Sequence, residues 1–245
     1  AMEKIFGQSS SGQKALQYGS TGGNVDLQEQ LLSHLARLEK QEESSLGIDR
    51  DQVVVTAGSQ QLLNHVAELV TLDPGDICLV SAPTYFVFLG TLNGVGARTI
   101  AVESDENGMK MAALEATLED LEAAGDLPRV KLIYLVSSFE NPSGVTLAEE
   151  RRPQAVDIAR RFSKSHRILI LEDAAYRELR YDGEDGPSIW SCDETREHVV
   201  LAQTFSKSFS PGIRVAYGIV PRDLVLPIHD VKGNFDFGSP NLSQQ

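Results

Sequence analysis

Two periods of apolar residues alternate along this chain. Short runs of consecutive apolar and β-branched residues are separated by longer stretches with apolar positions three and four apart. The short runs at 52–56, 77–80, 97–102, 130–136, 167–172, 198–203 and 215–220 predict seven strands. Within residues 26–41, Leu27, Leu31, Leu32, Leu35 and Leu38 fall on one helical face. Asp26 and Glu29 supply a capping-box-like start to that helix. Helical patterns recur over 62–70, 111–124 and 147–165, with Pro153 limiting the regularity of the last. Strand and helix alternate, so the pattern predicts an α/β domain with a seven-stranded, mostly parallel sheet flanked by helices. The runs 198–203 and 215–220 are joined by only eleven residues, Thr204 to Arg214. That is too short for a crossover helix, so this pair is predicted to run antiparallel. Residues 1–25 are polar and glycine-rich and read as a loop, with Ala1 ahead of Met2 resembling a tag remnant.

Polar residues with chemical potential gather just beyond the predicted strand ends, where ligands sit in parallel α/β sheets. Gly58-Ser59-Gln60 follows the first strand and opens a helix, an arrangement that binds anions or simply caps the helix. Tyr85, after the second strand, could stack on a planar ring or fill core. Asn141-Pro142-Ser143-Gly144 is a turn-forming cluster after the fourth. Asp173, after the fifth, could cap a helix, join an ion pair or face a cationic ring nitrogen. Lys207 lies in the last connection among hydroxyls, as a Schiff-base nucleophile or a solvated loop lysine. Thr204, Ser206 and Arg214 beside it could together hold a phosphate. Tyr18 stands apart from this group.

Composition narrows the classes. The chain has 245 residues, 41% of them hydrophobic, enough for one large domain or a large domain with part of a second. A net charge of −13 argues against a nucleic-acid surface, which needs a basic patch. No apolar stretch approaches the ~18 residues of a membrane span, and no secretory signal opens the chain. Cys78 and Cys192 have no metal-ligand spacing, and Cys78 sits in an apolar run as a small core residue. This usage fits a reducing compartment, and a cytoplasmic location is expected. His34 reads as a surface residue. His65, His166, His198 and His229 have no spacing that suggests a metal site.

Taken together, these motifs resemble the fold-type I pyridoxal-phosphate enzymes, specifically the class I/II aminotransferases, from about Tyr18 to about Gly218. The resemblance is carried by Ser206-Lys207 with Pro211-Gly212-Ile213-Arg214, by Asn141-Pro-Ser-Gly144, where the family more often has threonine third, and by Asp173-x-x-Tyr176, Gly58-Ser-Gln60 and Tyr85. Gln17-Tyr18 and Phe237-Gly-Ser-Pro-Asn241 look closest to the aminoadipate and kynurenine aminotransferase branch, which includes aminotransferase-like domains of bacterial transcription regulators.

The resemblance implies that Lys207 binds the cofactor and moves the substrate α-proton, and that Asp173 pairs with the pyridinium nitrogen. Asn141 and Tyr176 would hydrogen-bond the ring oxygen and Tyr85 would stack on the ring. Gly58, Ser59, Gln60, Thr204, Ser206 and Arg214 would surround the phosphate. Tyr18 would reach the phosphate of a neighbouring subunit in a homodimer. The implied reaction moves an amino group from an L-amino acid to a 2-oxo acid. Other chemistry of the same cofactor, or a non-catalytic effector domain, is the alternative. Family members are usually much longer, so the expected division is an N-terminal segment (1–25), a cofactor-binding large domain (26–232) and the start of a small domain (233–245).

Overall fold

The computed structural model describes residues 2–245. Its strands are β1 (Val53–Thr56), β2 (Ile77–Ala82), β3 (Arg98–Asp105), β4 (Gly108–Met109), β5 (Val130–Val136), β6 (Leu169–Asp173), β7 (Val199–Thr204) and β8 (Ala216–Ile219). They form one sheet in the order β1-β8-β7-β6-β5-β2-β3-β4. Pairs β7–β6, β6–β5, β5–β2 and β2–β3 are parallel. β8 runs antiparallel to both its neighbours, β7 and β1, as the short connection requires. All seven predicted strands are present. The eighth, β4, is two residues long and pairs with the end of β3 at the sheet edge, too short to leave an alternation in the sequence.

Period-2 alternation sends the strand side chains to two faces. Val53, Val55, Leu79, Ile133, Ile170 and Leu201 pack on one face against the helices Val25–Leu38, Met111–Ala123 and Arg151–Phe162. Val54, Val80, Leu132, Tyr134, Leu171 and Val200 pack on the other, against Ser59–Val70, Phe86–Gly94 and Val225–Asp236. Because both faces are covered, the central strands read as continuous apolar runs. Cys78 is buried in the second face, as its run predicts.

Three local expectations are corrected. The first long helix begins at Val25, and Asn24, not Asp26, caps it by accepting the Leu27 N–H at 3.2 Å. Asp26 therefore lies in the first turn, and Glu29 turns outward to within 3.8 Å of Arg50 instead of closing a capping box. Residues 1–25 are not all loop, since Met2–Phe6 and Ser9–Leu16 are helical; Ala1 lies outside the described residues. Polar composition hid the second of these helices because tertiary contact holds it. Only Gly12 and Ala15 are buried, and the Asn241 amide donates to Lys14 O at 2.7 Å. Finally, the helix expected over 147–165 spans only Arg151–Phe162. Pro153 falls in its first turn, where a backbone N–H has no intrahelical acceptor. Leu147 and Ala148 instead donate to Ser137 O and Asn107 O.

A buried ion pair fastens the Val25–Leu38 helix to the segment after β6. Arg177 donates to Glu39 Oε1 at 2.5 Å and to Leu38 O at 2.9 Å, while Glu39 Oε2 accepts the Ser188 N–H. Both side chains are almost fully enclosed. Removing one partner strands the other charge out of water, so Arg177→Ala should cost about 3–5 kcal/mol in urea unfolding. Combining it with Glu39→Ala should cost less than the two single losses added together.

Candidate functional site

The site is built where β1, β7, β6, β5 and β2 end and β8 begins. After Thr56 the chain turns through Gly58, at φ +87°, into the helix Ser59–Val70. Thr56 Oγ1 donates to Gly58 O, and Gln61 Oε1 accepts the Ala57 N–H, which fixes the turn. The N–H groups of Ser59 and Gln60 fall in the first helical turn, where no intrahelical acceptor exists, at the positive end of the helix dipole. Arg214 lies directly over Gly58, and a Cβ at that position would collide with its guanidinium. The Arg214 backbone is left-handed at φ +54°, a strained conformation for a residue other than glycine. This directs Nη2 to Ala57 O at 3.1 Å and Nη1 to Ser206 Oγ at 3.3 Å. Thr204 Oγ1 lies 3.0 Å from Ser206 Oγ and accepts the Ser206 N–H, so hydroxyls and a guanidinium converge on the helix start.

Asp173, the last residue of β6, marks the other end. It is buried, with Oδ1 accepting the Ala175 N–H at 3.1 Å and Oδ2 accepting the Tyr134 hydroxyl at 2.9 Å. Burial pushes its carboxyl up to about 6, and Glu172 adds to the rise. The two hydrogen bonds and the charge of Lys207 oppose it. Lys207 Nζ lies 5.5 Å from the centre of the Tyr176 ring and makes no hydrogen bond or salt bridge with any described residue. Burial raises the Tyr85 hydroxyl from its usual value, helped by Asp173. Glu140, next to Asn141, is buried and accepts hydrogen bonds from Ser81 and Ser143 at 2.5 and 3.2 Å. Burial raises its carboxyl as well, against those bonds.

Ser59, Gln60, Tyr85, Asn141, Asp173, Tyr176, Thr204, Ser206, Lys207 and Arg214 line a single cleft of 230 Å³. Gly58 sits beneath Arg214 at its edge. Tyr18 is elsewhere: it is 80% exposed and packs edge-on against Phe237 at 5.3 Å. Val136 and Ala175 also line the cleft without having been singled out in the sequence, as apolar residues without a chemical signature, and Pro211 of the motif ending in Arg214 lines it too. Tyr134, below the cleft, was hidden in an apolar run. The one available signal was a single hydroxyl within a strand whose neighbour ends in a carboxylate. No cluster of His, Cys, Asp and Glu among the described residues could hold a metal ion, and no described helix is long and apolar enough to cross a membrane.

The family model "Aminotransferase class I and II" matches residues 1–245. The chain belongs to the class I and II aminotransferases. It is 35% identical over 234 residues to an uncharacterized aminotransferase of Saccharolobus solfataricus, covering 96% of this chain and 55% of that protein. It is 32% identical over 231 residues to aromatic-amino-acid aminotransferase 1 of Thermococcus litoralis, covering 94% of this chain and 52% of the relative. A crystal structure of Pyrococcus horikoshii kynurenine aminotransferase in complex with PMP superposes with a TM-score of 0.88 at 32% identity, covering 99% of this chain and 56% of that one. The chain thus spans about half the length of the curated relatives it matches.

Burying the Asp173 carboxylate in the cleft carries a cost. Its carboxyl titrates near 3.8 when unfolded and at about 6 when folded. The folded state therefore loses stability as pH rises through that window, by up to roughly 3 kcal/mol at ~1.36 kcal/mol per unit. In the cofactor-free protein, Asp173→Asn should recover up to that amount at about pH 8 and little at about pH 4. Urea unfolding at the two pH values measures the difference.

Proposed function

We propose that this chain is the cofactor-binding part of a pyridoxal-phosphate-dependent aminotransferase that moves an amino group from an L-amino acid to a 2-oxo acid. The single observation carrying this reading is that one cleft holds a hydroxyl- and guanidinium-lined anion pocket together with an amine and a buried carboxylate that have no salt-bridge partner among the described residues. Those three features fit the phosphate, the aldehyde and the ring nitrogen of that cofactor. Family membership and the PMP bound to the kynurenine aminotransferase point the same way.

When bound, pyridoxal phosphate supplies an electron-withdrawing ring that stabilises negative charge at a substrate α-carbon. The chain's own residues do the rest. Ser59, Gln60, Thr204, Ser206 and Arg214 would hold the phosphate, with Arg214 offering a planar fork to two oxygens at once. Asp173 would keep the ring nitrogen protonated. Opposite charge favours ionisation, so a cationic partner would also bring its carboxyl down from about 6. Asn141 and Tyr176 would hydrogen-bond the ring oxygen, and Tyr85 would lie against the ring face. Lys207 Nζ would hold the cofactor's carbonyl carbon and then, once displaced by substrate, carry the proton from the substrate α-carbon as a general base.

The same reading takes residues 26–232 as the large domain and 233–245 as the start of a second. It also takes the assembly as a homodimer, in which Tyr18 serves a neighbouring subunit's cleft. The exposed Tyr18–Phe237 pair supports a covered face there. The free cysteines Cys78 and Cys192 support a cytoplasmic setting.

The test is an absorption spectrum of the chain after adding pyridoxal phosphate and dialysing, beside Lys207→Ala. A visible band kept by the wild type and lost in the variant is expected. Indistinguishable spectra would overturn the reading.

A further inference from the structure

We propose that Tyr134 is a positioning residue of this site, whose hydroxyl fixes the Asp173 carboxylate from below so that its free edge faces the cleft. This rests on the cofactor reading above, but the contact itself does not. Tyr134 lies on β5, where the register sets it opposite Leu171 and sets Val136 opposite Asp173. Asp173 is two residues on from Leu171, so both side chains point to the same face of the sheet, as diagonal neighbours across one strand pair. Tyr134 is 0% exposed, its ring packs on Phe88 with centroids 4.3 Å apart, and its hydroxyl donates to Asp173 Oδ2 at 2.9 Å.

A carboxylate this deep needs its oxygens satisfied, and the choice of donor matters. A lysine or arginine beneath Asp173 would neutralise it and remove its attraction for a cationic ligand. Tyr134 and the Ala175 N–H instead supply two neutral donors, one to each oxygen. They stabilise the ionised form while leaving its charge available to the cleft. Burial and the neighbouring Asp173 hold the Tyr134 hydroxyl well above its ordinary value, so it remains a donor throughout the working range. The other groups influencing this pair are Glu172 on β6, Lys207 after β7, Tyr85 ahead of the Phe86–Gly94 helix, and Glu140 in the Asn141 turn. Tyr134→Phe alters none of them and keeps the ring packed on Phe88.

Two measurements test this. In cofactor-free protein, the pH dependence of unfolding is compared with and without Asp173→Asn, in both the wild-type and the Tyr134→Phe backgrounds. Losing the hydroxyl should move the Asp173 window upward by about one pH unit, the size expected for a hydrogen bond to a charged group. An unmoved window would overturn the proposal. With pyridoxal phosphate, Tyr134→Phe should weaken binding by roughly tenfold at about pH 8, and should cause no further loss in the Asp173→Asn background. Equal losses in both backgrounds would mean that Tyr134 acts only through packing, and would also overturn it. If the wild type binds no pyridoxal phosphate, the cofactor reading fails. The unfolding comparison then still decides whether Tyr134 positions Asp173.

Discussion

The site depends on the direction of one strand. β8 is wedged between β7 and β1 and runs against both, so its beginning lies at the edge where its neighbours end. A parallel strand in that place would have carried Arg214 to the opposite edge of the sheet. The reversal costs nothing in backbone hydrogen bonding, since antiparallel ladders pair at least as well as parallel ones. It allows a short connection to set Lys207, Ser206 and Arg214 beside the helix that follows β1.

The cleft also divides its electrostatics by strand. Around β1, β8 and the end of β7 lie the helix N-terminus, the hydroxyls and the guanidinium, all suited to negative charge. At β6 the buried Asp173 suits positive charge, although it is costly to ionise there. Elsewhere a buried charge is either paired, as Arg177 and Glu39 are, or held by neutral groups, as Glu172 is by the Trp190 N–H. Asp173 is also left without a salt-bridge partner among the described residues, but it lines the cleft, where its charge is open to a ligand.

Much of this was legible in the residue order. Fully buried strands read as apolar runs, and ten polar residues placed after strand ends converge on one cleft because a parallel sheet gathers its carboxyl ends on one edge. What escaped was set by tertiary context. The helix Ser9–Leu16 has almost no apolar stripe because its partner is the chain's last turn, through Asn241. Asn24 rather than Asp26 caps the next helix, and residues one or two apart with equal capping chemistry cannot be ranked by pattern. Tyr134 looked like core because most of it is core. Only its last atom is polar, and only the register between β5 and β6 reveals what that atom meets.

The sheet also acts as a ruler. Neighbouring strands lie about 4.8 Å apart, so the step from the start of β8, two residues after Arg214, across β7 to the end of β6 at Asp173 spans roughly 10 Å. Hydrogen bonding fixes the spacing of the strands, so side-chain substitution leaves the strand ends that flank the cleft where they are. The backbone therefore sets the fixed points from which the Arg214 and Asp173 side chains reach, and only that reach is left for substitution to adjust.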